Sequence, residues 1–240
     1  MTWQRRRILA LGLAPNGLLA WPTRAGAAAR APFRRLAVVD PPFVEEYEVV
    51  IATAPPLARG TLGKLVTRAL TSTDAYVKTE RLTAALDPDK TRLHEHFVQA
   101  LAEALDVAAV KVMLVPVAAA DNEAALVAQV RKLAPAADGV LLANVMGRFV
   151  ALHGLTAYVP GLMVGIKAQS PTGKPVWLEQ IFSAGFRGID PRAEHLEAID
   201  MPARFEDADA LLLRVDEARQ ALIDGVEAMA GEVARRLMAA

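Results

Sequence analysis

A chain of 240 residues, 53% hydrophobic and 22% charged, has enough apolar surface to bury a substantial core, which excludes an intrinsically disordered protein. Its 27 basic and 27 acidic side chains balance and no basic stripe with interleaved aromatics occurs, so nucleic acid is not an expected partner. The lack of any cysteine excludes disulfides, thiolate metal sites, a cysteine nucleophile and a lipid-modified amino-terminal cysteine.

Charge is uneven along the chain. Residues 1–7 are short and cationic through Arg5, Arg6 and Arg7, residues 8–21 are mostly apolar, and Ala25, Ala27 and Ala29 put small residues at A-x-A positions. This order predicts a secretory signal peptide over residues 1–29. Gln4-Arg5-Arg6-Arg7-Ile8-Leu9 also fits a twin-arginine leader, and the choice between the Sec and Tat routes stays open. Cleavage after Ala27 or Ala29 removes four of the 27 basic residues and leaves 23 against 27 acidic, a net charge of −4. Pro15-Asn16-Gly17 interrupts the apolar run, and no later run reaches the ~20 residues a bilayer requires without charges. The mature chain is therefore expected in the periplasm, with no transmembrane segment.

Residues 32–240 are expected to form a single α/β domain with an insert at about 41–90. RLAVVD at 35–40, stopped by Pro41-Pro42, reads as a first strand, and YEVVIA at 47–52 as a second. Pro55-Pro56 opens a predicted helix over 57–70, with Leu62, Leu65, Val66, Ala69 and Leu70 on one face. Residues 71–90 are polar and mixed, with Asp87-Pro88 as a turn signal, and predict a loop or short helical pieces. A helix follows over 91–107, with Leu93, Phe97, Leu101 and Leu105 at core spacing. VKVMLVPV at 110–117 is a strand that Pro116 confines to an edge or to the exit of the sheet. Residues 121–133 form the next predicted helix, with Asp121 as its amino cap.

From Gly139 the texture changes to three successive strand-like runs, broken at 154–161 and 170–174, which implies an antiparallel meander. Asp207 caps a long final helix in which Leu211, Val215, Ala218, Leu222, Val226, Met229, Val233 and Leu237 recur at steps of three and four. Gly225 and Gly231 are the expected places for a break in it. The fold class is thus α/β (α+β): a mixed sheet with a carboxyl-terminal antiparallel meander, helices packed on it and a long carboxyl-terminal helix.

Chemistry is harder to find. Gly173-Lys174 suggests a phosphate loop, but Ala168 stands where the first glycine belongs and Pro175 replaces the hydroxyl residue and removes an amide donor. Thr172, Gly173 and Lys174 read instead as the tip of a turn between two strands. No Gly-x-Gly-x-x-Gly occurs, and Ser183, one of only three serines, lacks the preceding glycine of a nucleophile elbow. His94 and His96 are two apart on a helix and point to different faces, unlike a zinc pair at i and i+4, and His153 and His195 are isolated. Glu45-Glu46 and Asp87 with Asp89 read as solvated charges. Asp40, at the carboxyl end of the first strand, is the candidate cleft residue, because ligands of open α/β sheets sit there. Tyr158, Trp177 and Phe182 read as core or sheet-face aromatics. No cofactor and no metal is expected.

The segment 138–186 carries a resemblance. Ala137-Asp138 leading into GVLLANVMGRF, followed by a hairpin with Ser170, Thr172-Gly173-Lys174 and Trp177, resembles bacterial envelope α/β domains related to the TolB amino-terminal domain, CsgG and LpoB. The resemblance extends over about 150 residues, because RLAVVD, the helix over 91–107 and VKVMLVPV follow in a similar order. It implies an exported, non-catalytic domain that works in an envelope complex. Members are often lipoproteins, whereas this chain has no anchoring cysteine, and the insert at 41–90 has no counterpart in the pattern.

The leading expectation is an exported accessory or binding protein of an envelope complex. The alternatives are a periplasmic hydrolase or small-ligand enzyme using Asp40 and Asp138 in one cleft, and a structural subunit forming homo-oligomers through the apolar stripe of residues 211–237.

Overall fold

The computed structural model describes residues 31–40, 45, 47–52, 73–120, 122–152, 157–186 and 190–240. The leader motif, Pro41-Pro42, the helix expected over 57–70 and His153 lie outside the described residues.

The elements in chain order are β1 (Arg35–Asp40), β2 (Tyr47–Ala52), α1 (Thr73–Leu86), α2 (Pro88–Thr91), α3 (Leu93–Asp106), β3 (Lys111–Pro116), α4 (Glu123–Leu133), β4 (Gly139–Leu152), β5 (Tyr158–Gln169), β6 (Val176–Gly185), β7 (Glu194–His195), α5 (Ala208–Leu213) and α6 (Val215–Ala239). The strands form one seven-stranded mixed sheet in the order β3-β1-β4-β5-β6-β7, with β2 also paired to β4. β4 is long enough to hold two partners on one side: β1 runs parallel beside its start, Leu36 against Gly139, and β2 beside its end, Tyr47 against Gly147. β4, β5 and β6 form the antiparallel meander.

Four elements depart from the sequence reading, each for a tertiary reason. α1 is a 14-residue helix where a loop or short pieces were expected, because Leu82 and Leu86 enter the core and Thr79 and Thr83 bond to β2. The cap of α4 is Asn122, whose Oδ1 accepts from Ala125 N at 2.9 Å, rather than Asp121. β5 starts at Tyr158, inside the expected break, since Tyr158 pairs with Ala151 and bridges to Phe205. Pro160 is tolerated there because β6 ends opposite Gly161, and a proline needs an unpaired side. The final helical region breaks at Arg214 (φ −108°, ψ 37°), between α5 and α6, while α6 runs on through Gly225 and Gly231.

One sheet face carries α1, α3, α5 and α6 and the larger core. Leu93, Phe97, Leu101 and Leu105 of α3 meet Leu222, Val226, Met229 and Val233 of α6 over Phe149, Val164 and Phe182 of the sheet. Fully burying each such side chain contributes roughly 1.5–3 kcal/mol. Gly225 lets this packing close: a Cβ there would lie 2.7 Å from Leu162 Cδ1. The stripe expected to be open to another copy is therefore consumed within the chain, with Leu211, Ala218, Leu222, Val226, Met229, Val233 and Leu237 all buried. On the opposite face α4 covers β1, β3 and the start of β4, through Val127 and Val130 on Ala37, Val39, Val115 and Val140. No helix among the described residues is long and apolar enough to cross a membrane.

Candidate functional site

At the carboxyl end of β1, Asp40 stands beside His94 in the first turn of α3, with Oδ1 4.0 Å from the His94 Nε2. The histidine is 5% exposed. Burial pushes its pKa below the usual value, and the charges of Asp40 and Glu45 partly oppose that. α3 has no side-chain cap of its own, because Arg92 takes a left-handed conformation before it. Glu45 supplies the cap from a distance: its carboxylate accepts from Leu93 N (3.0 Å), His94 N (2.8 Å) and the Tyr47 hydroxyl (2.5 Å). Burial, reinforced by Glu45, raises the Tyr47 pKa. Below lies Thr91, bonded to Leu86 O, with Arg219 of α6 reaching the same carbonyl at 3.0 Å. Hydrogen bonds of Glu45 tie β2 to the start of α3, and those of Thr91 and Arg219 tie α6 to the Leu86 carbonyl. Glu45, expected to be a solvated charge, is instead a structural one.

Asp138 is at the other end of β1, where Oδ1 accepts from Arg34 N (2.9 Å) and Arg35 N (2.7 Å). Arg35, which it holds, and Asp40 are the two ends of the six-residue β1, roughly 17 Å apart along a strand. The two carboxylates therefore share no cleft, which removes the arrangement expected of a hydrolase that uses both. His94 and His96 also diverge: His94 turns inward, and His96 Nδ1 lies 3.0 Å from Glu227 of α6. Among the described residues no group of His, Asp and Glu is arranged to hold a metal ion.

The hairpin tip spends its polar groups on itself. Gly173 N donates to Ser170 O at 2.9 Å, Ser170 N to Pro175 O at 3.0 Å, and Thr172 Oγ1 to Lys174 O at 2.9 Å. Gly173 has φ 86°, which a glycine takes without strain. The Lys174–Pro175 peptide is cis. The hydroxyls that a phosphate would need are turned to the Lys174 carbonyl. Trp177 sits just beyond, its ring 5.4 Å from that of Phe33; Phe182 is fully buried and Tyr158 is 7% exposed, both in the core.

Among the described residues, a sheet face that α4 leaves bare is chemically open. Strand alternation turns Val145, Val164 and Phe182 into the core, and Asn144, Gly165 and Ile181 out to the other side. There they floor an open groove of about 530 Å³ that runs across β4, β5 and β6. Its centre is Gly165, where an added Cβ would meet no atom within 4 Å. Glycine in a strand interior marks a place where another group can approach the backbone. Lys167 forms one wall, 3.0 Å from Glu123 of α4 and 3.7 Å from Glu179. The Lys167 ammonium holds Glu123 below the usual carboxylate range, and Glu123 in turn raises Lys167. At the far end Arg192 pairs with Asp190 at 2.8 Å and lowers its pKa. The face thus joins a floor of Leu142, Asn144, Gly165 and Ile181 to a rim on which Lys167 faces two carboxylates and Arg192 faces one.

Ser183 and His195 meet between β6 and β7, Oγ to Nδ1 at 3.4 Å. Ser183 is 5% exposed on an ordinary strand, without the sharp turn that presents a nucleophile. A wider depression of about 800 Å³ borders α6, where Arg214 pairs with Glu217 and Glu206, and Gln220 donates to Asp224.

Sequence reasoning missed Asn144, Gly165, Lys167, Glu179 and Ile181 as a group. Their alternation with buried neighbours was readable, but not which half of the face α4 would leave bare.

No family model matches the chain, and no curated protein matches it. Among solved structures it is similar to the hypothetical protein CT253 from Chlamydia trachomatis, at 12% identity over 63% of this chain and 72% of that one, with a TM-score of 0.26. A likeness at that level says nothing about what this chain does.

Proposed function

We propose that this chain is an exported, non-catalytic accessory or binding protein of a bacterial envelope complex, acting in the periplasm and holding a protein partner on the bare face of β4, β5 and β6. The observation that carries the reading is that groove: a floor in which Leu142 and Ile181 flank an unfilled glycine, bordered by one cation, Lys167, and two carboxylates, Glu123 and Glu179. Export is supported by the leader pattern of residues 1–29, and the envelope setting by the likeness of the Asp138, Ser170 and Thr172-Gly173-Lys174 pattern to that group of domains.

Filling the groove tests this. Gly165→Arg places a long side chain where a Cβ has no neighbour, so the melting temperature should stay near that of the wild type. Co-purification of a discrete partner with the exported full chain should fall at least about tenfold. Undiminished co-purification with the variant contradicts a partner in this groove.

A further inference from the structure

The sheet protects its edges unequally. On β2, the amides of Tyr47 and Val49 donate to the Thr83 and Thr79 hydroxyls of α1, at 3.0 Å and 2.9 Å. β3 is short, begins at Lys111 and ends in Pro116, which has no amide to offer. β6 has less protection. β7 pairs only with Phe182 and Ser183, and the Ser183 carbonyl accepts from Leu196 N at 2.8 Å, so Ser183 directs its backbone groups away from β5. A period of two carries that orientation back along β6 to Ile181 and Glu179. Among the described residues no strand pairs with that outer side of residues 176–180, while the Phe182–Glu194 pairing engages the Ile181 carbonyl.

This open edge borders the groove. Ile181 belongs to the groove floor, Val176 is 40% exposed at the start of the edge, and the Glu179 side chain between them is 64% exposed. The edge therefore offers unpaired amides and carbonyls, one outward carboxylate and an apolar side chain at either end.

We propose that an extended segment of the partner protein adds to the sheet as a further strand along residues 176–181 of β6. It would set a lysine or arginine against Glu179 and an apolar side chain over Ile181. This rests on the reading of the groove as the partner surface and specifies how it is occupied: main-chain bonds to the edge supply affinity, and alternate side chains entering the groove supply selectivity. A second copy of this chain is the poorer occupant, because edge-to-edge pairing brings two Glu179 carboxylates onto one short ribbon.

The test uses the exported full chain and phage-displayed random peptides of about ten residues as the probe. Retained peptides should alternate apolar and basic residues and slow amide exchange at Glu179 and Ile181. Glu179→Pro deletes an outward amide without removing a β5 bond, and should weaken peptide binding at least about tenfold. Glu179→Lys should weaken it by reversing the charge, which keeps the proposal testable if the proline variant folds poorly. Failure to retain any peptide overturns the proposal, as does equal binding by the wild type and both variants. If Gly165→Arg loses the partner while Glu179→Pro and Glu179→Lys keep it, strand addition is wrong and the groove reading stands. If all three keep it, both are wrong.

Discussion

Glu45 is the residue whose removal should show most clearly how this fold is tied together. One carboxylate accepts three hydrogen bonds that join the end of the β1 crossover, β2 and the start of α3. Glu45→Ala leaves two amides of the first helical turn and a buried hydroxyl without it, and should cost about 1–2 kcal/mol, measured by urea unfolding. His94 beside it gives the corner a pH dependence. Its folded pKa is depressed by burial, so the stability gained by keeping it neutral is present above the unfolded value of about 6.5 and lost as pH falls through the folded value. Unfolding free energy should decline from about pH 6.5 down to the folded value by up to about 1.4 kcal/mol per unit and level off below it, and His94→Gln should flatten the decline. The paired carboxylates Glu123, Asp190 and Glu232, all lowered by cationic partners, add their own loss only at more acid pH.

At the scale of elements, α6 separates two glycines that periodicity treats alike. Gly225 faces Leu162 and Met201, whereas a Cβ on Gly231 would meet nothing within 4 Å. Gly225→Ala should destabilise by about 1–3 kcal/mol through overpacking, and Gly231→Ala should stabilise by about 0.5–1 kcal/mol through helix propensity. Opposite shifts in melting temperature check the pair. The sequence pointed to these glycines for a break, yet the break is at Arg214, whose guanidinium lies 4.9 Å from the Phe205 ring centroid and donates to Arg204 O at 3.2 Å. Periodicity carries no trace of such contacts. The same limit hid α1, whose polar Thr79 and Thr83 look like loop residues until β2 stands beside them. Elements whose burial follows from their own repeat, such as α3 and the meander strands, were legible within a few residues.

For the whole molecule, the mixed sheet, its meander and the long final helix were readable from alternation and spacing. The candidate surface was not, because Gly165 and Asn144 acquire meaning only once α4 covers one half of a face and leaves the other open. Asp40, the residue chosen by position alone, proved to stand 4.0 Å from the buried His94 ring rather than in a cleft with Asp138. The most direct measurement is photo-crosslinking in whole cells, with a benzoylphenylalanine at Asn144 on the bare face and another at Gln220 of α6. The account predicts one discrete adduct from position 144 and none from position 220. An adduct from 220 with none from 144 would contradict it.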